Sequence, residues 1–213
     1  MLLMLIVDGT SLHVQALLHA TTPTLLGMLV GAVSTSFALV ALVLALGPVS
    51  GGHFNPLITW AQWLVGERSI RCTRAYIFAQ CSGAVAGALF VRAFYPTDDA
   101  SVFGALASPA TFVSEMGFSC ALLGIILACT RSGLGNAGPP IVGAWLLASQ
   151  MLWPRLSYGN PAIVVGLFFV PGPMRLASAS VGVLAAAEFA GAIVALGLVT
   201  YIVPKREPVQ TQV

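Results

Sequence analysis

The chain has 213 residues, of which 58% are hydrophobic and only 8% are charged. A soluble domain carries about 25% charged residues, so the composition excludes an ordinary soluble domain and points to an integral membrane protein. A formal net charge of +2 implies no nucleic-acid partner. The four cysteines, Cys72, Cys81, Cys120 and Cys129, lie in or beside apolar stretches and show no close-set ligand pairs. They read as small buried hydrophobes rather than as a metal site or a disulfide. No nucleophile–base pair or phosphate loop stands out, so the chain does not read as an enzyme and no cofactor is implied.

Residues 1–20 begin apolar, from Met1 to Val7, and then turn mixed with Asp8, His13, Gln15 and His19. A transmembrane helix needs about 20 apolar residues, so this segment supplies half a crossing and reads as a truncated first span. No positive region precedes the apolar run, which disfavours a signal peptide. Residues 25–46 form the first clear span, with Gly27 and Gly31 at small-xxx-small spacing. The run Gly47-Pro48-Val49-Ser50-Gly51-Gly52 breaks it, and irregular backbone at that depth needs cover from protein or a water-filled cavity. A short helix is expected over residues 55–64. Ten residues at the usual rise give ~15 Å, half of a ~30 Å hydrocarbon core. Residues 66–74 read as a polar loop with three arginines. The next span covers 75–94, with Gly83 and Gly87 again at small spacing. A loop over 95–109 holds Asp98 and Asp99. Then come a span over 111–130 with Glu115 inside it, a glycine-rich loop over 131–138 and a short span over 139–153. A second short helix is expected over 160–169. The last span, 181–203, contains Glu188, and the tail from Pro204 is polar.

Both short helices open on the same signal, Asn55-Pro56-Leu57 and Asn160-Pro161-Ala162, set 105 residues apart. Asn is a good N-cap, and Pro at the first helical position gives up an amide hydrogen that would be orphaned anyway. Each half reads as span, half-helix, span. Gln80 and Glu188 each precede a Gly-Ala pair by three residues in the closing span. An odd number of crossings per half inverts the second copy. The chain therefore reads as one domain of two inverted repeats, about residues 1–105 and 106–213, with broken helices meeting at the midplane. Placing Arg68, Arg71 and Arg74 in the cytoplasm puts Arg131, Lys205 and Arg206 there too, six of the nine basic residues, with a cytoplasmic C-terminus. Asp98 and Asp99 then lie outside, as do Arg92, Arg155 and Arg175.

The paired Asn-Pro motifs stand beside Ser50-Gly51-Gly52-His53-Phe54 and Ala75-Tyr76-Ile77-Phe78-Ala79-Gln80-Cys81-Ser82-Gly83-Ala84, with Glu115 in a later span. In these residues the chain resembles the aquaporins, the major intrinsic protein family, over about residues 24–203. The resemblance implies an all-α integral membrane protein. It would have about six transmembrane helices, the first truncated here, and two re-entrant half-helices. It also implies a passive channel in the lipid bilayer for water and possible small neutral solutes such as glycerol, urea or ammonia, and a homotetramer with one pore per subunit. Family members usually open on a full span with a Glu near its start. That Glu is missing here, and Asp8-Gly9-Thr10-Ser11 matches the far end of such a span.

Each half-helix start carries about +0.5 elementary charge, and two such ends face to face repel cations, hydronium included. The Asn55 and Asn160 amides can donate to a passing oxygen, and a water held by two donors cannot readily pass a proton on. The resemblance implies this role for a constriction of Asn55, Pro56, Leu57, Asn160, Pro161 and Ala162. Leu57 stands where the family usually has Ala. Either it narrows the constriction, or it points into protein and repacks. The resemblance also implies a selectivity filter near the outer mouth, mapping to Ile163, Ser157, Thr35 and Gln150, with Ala148 or Ser149 as alternatives to Gln150. Ile163 replaces the usual Arg, so the filter loses a fixed cation and its forked donors and should be less polar and wider. Arg155 reads as a solvated loop charge. Glu115, at membrane depth, must face the interior and be bonded. The resemblance implies that it braces the loop ahead of the second half-helix, and Glu188 sits on the repeat-related span. Both carboxyls could instead fill packing niches in protonated form. His53 orders the loop before the first motif or gates the pore. The alternative class is a non-conducting membrane protein that uses the fold for assembly, favoured by a pore blocked at Leu57, Phe54 or Phe168.

Overall fold

The structure is a computed structural model that describes residues 1–18, 25–95, 108–152 and 158–203. Among the described residues there are eight α-helices, one 3-10 turn and no strand. Four helices are long and apolar enough to cross a membrane: α2 (Leu25–Ser50), α4 (Ile70–Phe94), α5 (Pro109–Arg131) and α8 (Ser178–Ile202). Two more are shorter, α1 (Leu2–Leu18) with 17 residues and α6 (Gly138–Leu152) with 15. The last two, α3 (Pro56–Leu64) and α7 (Pro161–Leu167), have 9 and 7 residues. At the usual rise they reach only ~14 and ~11 Å and cannot cross a ~30 Å core. The chain is an all-α integral membrane protein.

Local signals explain most boundaries, including those that depart from expectation. The helix α2 does not stop at Gly47 but runs on through Pro48 to Ser50. A proline in the last turn forfeits one backbone bond there, and Gly51 N still donates to Gly47 O at 2.8 Å. The turn out of α2 comes at Gly51 and Gly52, with φ of +81° and +64°, a region open to glycine. The helix α4 starts at Ile70, so Arg71 and Arg74 belong to it rather than to the loop. Ser69 caps that start by accepting from Cys72 N at 3.3 Å. Ser108 does the same for α5 through Thr111 N at 3.2 Å. The helix α7 ends at Leu167, two residues before the expected end, because Pro171 and Gly172 turn the chain back. Leu176 N then donates to Leu167 O at 3.0 Å.

Each short helix is the centre of its own apolar cluster. The helix α7 contributes Ala162, Ile163, Val164 and Leu167 to a core with Met4, Ala84, Ala88 and Leu184. The helix α3 contributes Leu57 and Ala61 to a second core with Leu123, Ala192 and Ala195. Two glycine seams bring the long helices close. Gly191 of α8 lies against the Met116 carbonyl of α5, with no room for a Cβ. On α4, a Cβ at Gly83 would lie 2.9 Å from Met1 N, and one at Gly87 2.9 Å from Met1 O. The helix α1 thus starts level with the middle of α4 and runs alongside it towards Tyr95, whose hydroxyl is 3.4 Å from His13 Nδ1. Large apolar side chains on the outer faces stay exposed, among them Phe37, Phe78, Phe94 and Ile193, as suits a surface solvated by lipid.

Candidate functional site

The two Asn-Pro segments meet. Asn55 and Asn160 both have extended backbone with φ of −152°, and both are N-caps followed by Pro at the first helical position. Asn55 Oδ1 accepts from Leu57 N at 2.8 Å, and Asn160 Oδ1 accepts from Ala162 N at 3.1 Å. The amide nitrogens then reach across. Asn55 Nδ2 donates to Gly159 O at 2.6 Å, and Asn160 Nδ2 donates to Phe54 O at 2.9 Å. A side-chain amide nitrogen carries two hydrogens. Each Asn therefore spends one on the opposite segment and keeps one. The positive ends of α3 and α7 lie at this same junction.

The two accepting carbonyls belong to the residues just before each Asn. Phe54 has φ of +46° and Gly159 has φ of +51°. That left-handed backbone turns each carbonyl towards the other segment. Glycine adopts it freely, whereas a non-glycine residue is strained there by about 1–2 kcal/mol. Sequence reasoning missed both carbonyls. A glycine before Asn160 was an available signal, and a phenylalanine before Asn55 offered none.

Carboxyls hold the second segment from behind. Glu115 Oε1 accepts from Gly159 N at 2.6 Å, and Glu188 Oε1 accepts from Asn160 N at 2.7 Å. Both glutamates are fully buried. His53, also buried, lies within hydrogen-bond distance of Thr59 through Nδ1 and of Arg68 through Nε2. Tyr76 stacks under the Arg68 guanidinium at 4.4 Å and donates its hydroxyl to Ser50 O at 3.1 Å, tying α4 to the end of α2.

The remaining sequence-derived positions are more scattered. Leu57 is fully buried and packs with Ala61, Leu123, Ala192 and Ala195 between α3, α5 and α8. Its bulk lies in the protein core. Ile163 is buried in the cluster around α7 and borders a cavity of about 210 Å³ with Ala162, Leu42, Phe54, Gln80 and the first turn of α1. Thr35 is half-buried on α2. Gln150 Nε2 donates to Leu146 O of its own helix at 3.3 Å, and Ser149 Oγ donates to the same carbonyl at 3.0 Å. Ala148 is exposed. Ser157 and Arg155 lie outside the described residues. The structure therefore brings together Asn55, Asn160, Glu115 and Glu188, whereas among the described residues no hydrogen bond joins Thr35, Gln150 and Ile163.

Comparison with known proteins adds an independent finding. A profile of the major intrinsic protein family matches residues 1–152. The aquaglyceroporin AqpS of Rhizobium meliloti (strain 1021) is 30% identical over 99% of this chain and 89% of its own length. Aquaporin-B of Dictyostelium discoideum is 33% identical over 51% of this chain and 40% of its own length. The lens fiber major intrinsic protein of Gallus gallus is 42% identical over 38% of this chain and 29% of its own length.

Proposed function

The chain belongs to the major intrinsic protein family, and on that premise we propose that it is a proton-excluding pore closed to ions at the paired Asn55 and Asn160 caps. In coarse terms it is an integral membrane channel for water or small solutes. The observation that carries the finer reading is the reciprocal pair of bonds, Asn55 to Gly159 O and Asn160 to Phe54 O. Those bonds fix both amides and leave one N–H on each for a permeant. An oxygen held by two fixed donors can donate only away from both, which interrupts a proton wire. Two helix N-termini at the same point add a positive field that opposes hydronium and other cations.

The solute class follows from Ile163. With isoleucine where a guanidinium would offer forked donors, a filter formed with Thr35, Ser157 and Gln150 has an apolar wall and a few neutral polar groups. Such a surface desolvates a less-polar neutral solute such as glycerol, urea or ammonia at lower cost than it desolvates water. The name of the Rhizobium meliloti relative, an aquaglyceroporin, accords with this. The same reading divides the chain into inverted repeats at about residues 1–105 and 106–213. It places the C-terminus in the cytoplasm and assembles four subunits, each with its own pore.

Stopped-flow light scattering on reconstituted vesicles tests the solute class. The expected result is modest water permeability with measurable passage of at least one of glycerol, urea or ammonia, and a higher water-to-solute ratio in Ile163→Arg. Equal ratios in two open proteins would remove Ile163 from the filter. Vesicles that pass neither water nor solute would favour the non-conducting assembly role instead.

A further inference from the structure

Thr59 lies one turn into α3 and is fully buried. Its hydroxyl meets three groups at once. It donates to Asn55 O at 3.1 Å, while Gln80 Nε2 and His53 Nδ1 each approach to 3.0 Å. A threonine hydroxyl has one proton and two lone pairs, so all three places are filled. The proton goes to Asn55 O, because a carbonyl can only accept. The Gln80 amide nitrogen can only donate. His53 must therefore donate from Nδ1, and a neutral ring so protonated keeps Nε2 as an acceptor. Arg68 Nη2, which can only donate, faces that Nε2 at 3.4 Å. Every donor along Arg68, His53, Thr59 and Asn55 thus points the same way, towards the carbonyl of the residue that caps α3.

The far end of this chain is anchored independently. Arg68 donates to Gln62 Oε1 at 3.3 Å and to Cys72 Sγ at 3.2 Å, besides stacking on Tyr76. The near end also receives Thr59 N, so Asn55 O is gripped by both the amide and the hydroxyl of one residue. Gripping that carbonyl fixes the ψ of Asn55, observed at 120°, and so the direction in which its side chain leaves the backbone.

We propose that Thr59, oriented by Gln80 and His53, is a positioning residue for Asn55, setting the direction of the one amide hydrogen that Asn55 keeps for a permeant. This rests on the paired-cap reading above. It adds that the first cap is aimed by a hydroxyl on its own helix. Loss of that hydroxyl leaves Asn55 O held by the Thr59 amide alone, which tilts the Asn55 amide within its remaining bonds to Leu57 N and Gly159 O, so that its free hydrogen meets a water at the junction less squarely and a proton is relayed more easily.

The test compares Thr59→Val, Thr59→Ser and Gln80→Leu in vesicles, reading proton flux and water flux from the same preparation. Thr59→Val is expected to raise the ratio of proton to water flux about fivefold to tenfold, the worth of one buried hydrogen bond. Thr59→Ser keeps the hydroxyl and is expected to restore the wild-type ratio. Gln80→Leu leaves the hydroxyl in place with one partner lost, and a smaller rise is expected. A purely structural role would lower the number of working channels and both fluxes together, and unchanged ratios in Thr59→Val and Gln80→Leu would overturn the proposal. Nitrogen-15 spectra of histidine-labelled wild-type protein give a readout that needs no conduction. They are expected to show neutral His53 with its proton on Nδ1, and a proton on Nε2 would overturn the network. A wild type that conducts nothing but shows this tautomer would contradict the pore reading and leave the network standing.

Discussion

Around Asn160, the backbone that leads into α7 donates to two buried carboxylic side chains, Glu115 through Gly159 N and Glu188 through Asn160 N. Around Asn55, the corresponding support comes from neutral side chains and works on the carbonyl instead, through Thr59, His53 and Gln80. The residues just before each Asn differ in the same way. Gly159 has no space beside it, since a Cβ there would lie 2.5 Å from Phe118 Cε1. Phe54 adopts the same left-handed backbone with a large side chain, half-buried at the edge of the cavity. One cap is thus set by packing and carboxyls and the other by a hydroxyl network that tolerates strain. The lesson is that one local motif can reach one geometry through two unrelated surroundings.

The largest expected effect breaks the packing side of that comparison. Gly159→Ala combines positive φ with a clash against a fully buried ring, and should destabilise the protein by about 2–4 kcal/mol. Thermal melting in detergent reads it, and a melt within error of wild type would remove packing as the reason for glycine.

Removal of a carboxyl comes next. Glu115→Ala leaves Gly159 N buried without its acceptor, at about 1–3 kcal/mol. It should lower both melting temperature and the yield of folded protein. Glu115→Gln keeps an acceptor oxygen and should recover most of the loss. Normal yield and melting in Glu115→Ala would mean that the second segment does not depend on this bond.

The smallest effect sharpens the other side. Phe54→Gly relieves left-handed strain of about 1–2 kcal/mol but adds backbone entropy to the unfolded chain and gives up some ring burial. The net change should stay within about 1 kcal/mol, in contrast to Gly159→Ala. A loss as large as that of Gly159→Ala would mean that the Phe54 ring, rather than the hydroxyl network, holds the first segment.

What the sequence made legible follows the range of each interaction. Both caps could be read directly, because an Asn side chain bonds a backbone amide two residues on and Pro suits the next position. The contact of Glu115 with the loop before α7 came from family resemblance, and the interest in Glu188 came from its place beside a Gly-Ala pair. The start of α4 was misjudged because three arginines suggested a loop, while the local Ser69 cap decided the matter and the side chains of Arg71 and Arg74 simply point outwards. The end of α2 was misjudged because Pro48 costs little in a last turn. The Thr59 hub was out of reach, since Gln80 lies 21 residues away on another helix. The left-handed Phe54 was hidden for a different reason, because the donor that its carbonyl meets, Asn160, lies 106 residues away.

The central claim is that Asn55 and Asn160 act as a pair to pass neutral permeants while stopping protons. The most direct measurement is proton flux into vesicles carrying a pH-sensitive dye, recorded beside osmotic water flux for wild type, Asn55→Asp and Asn160→Asp. A carboxylate at either cap offsets the positive helix end and replaces a donor with an acceptor. The account predicts a wild type with water or solute flux and a proton leak no greater than that of empty vesicles. It predicts that each substitution raises the leak or impairs permeation. Unchanged permeation and unchanged proton leak in both variants would contradict it.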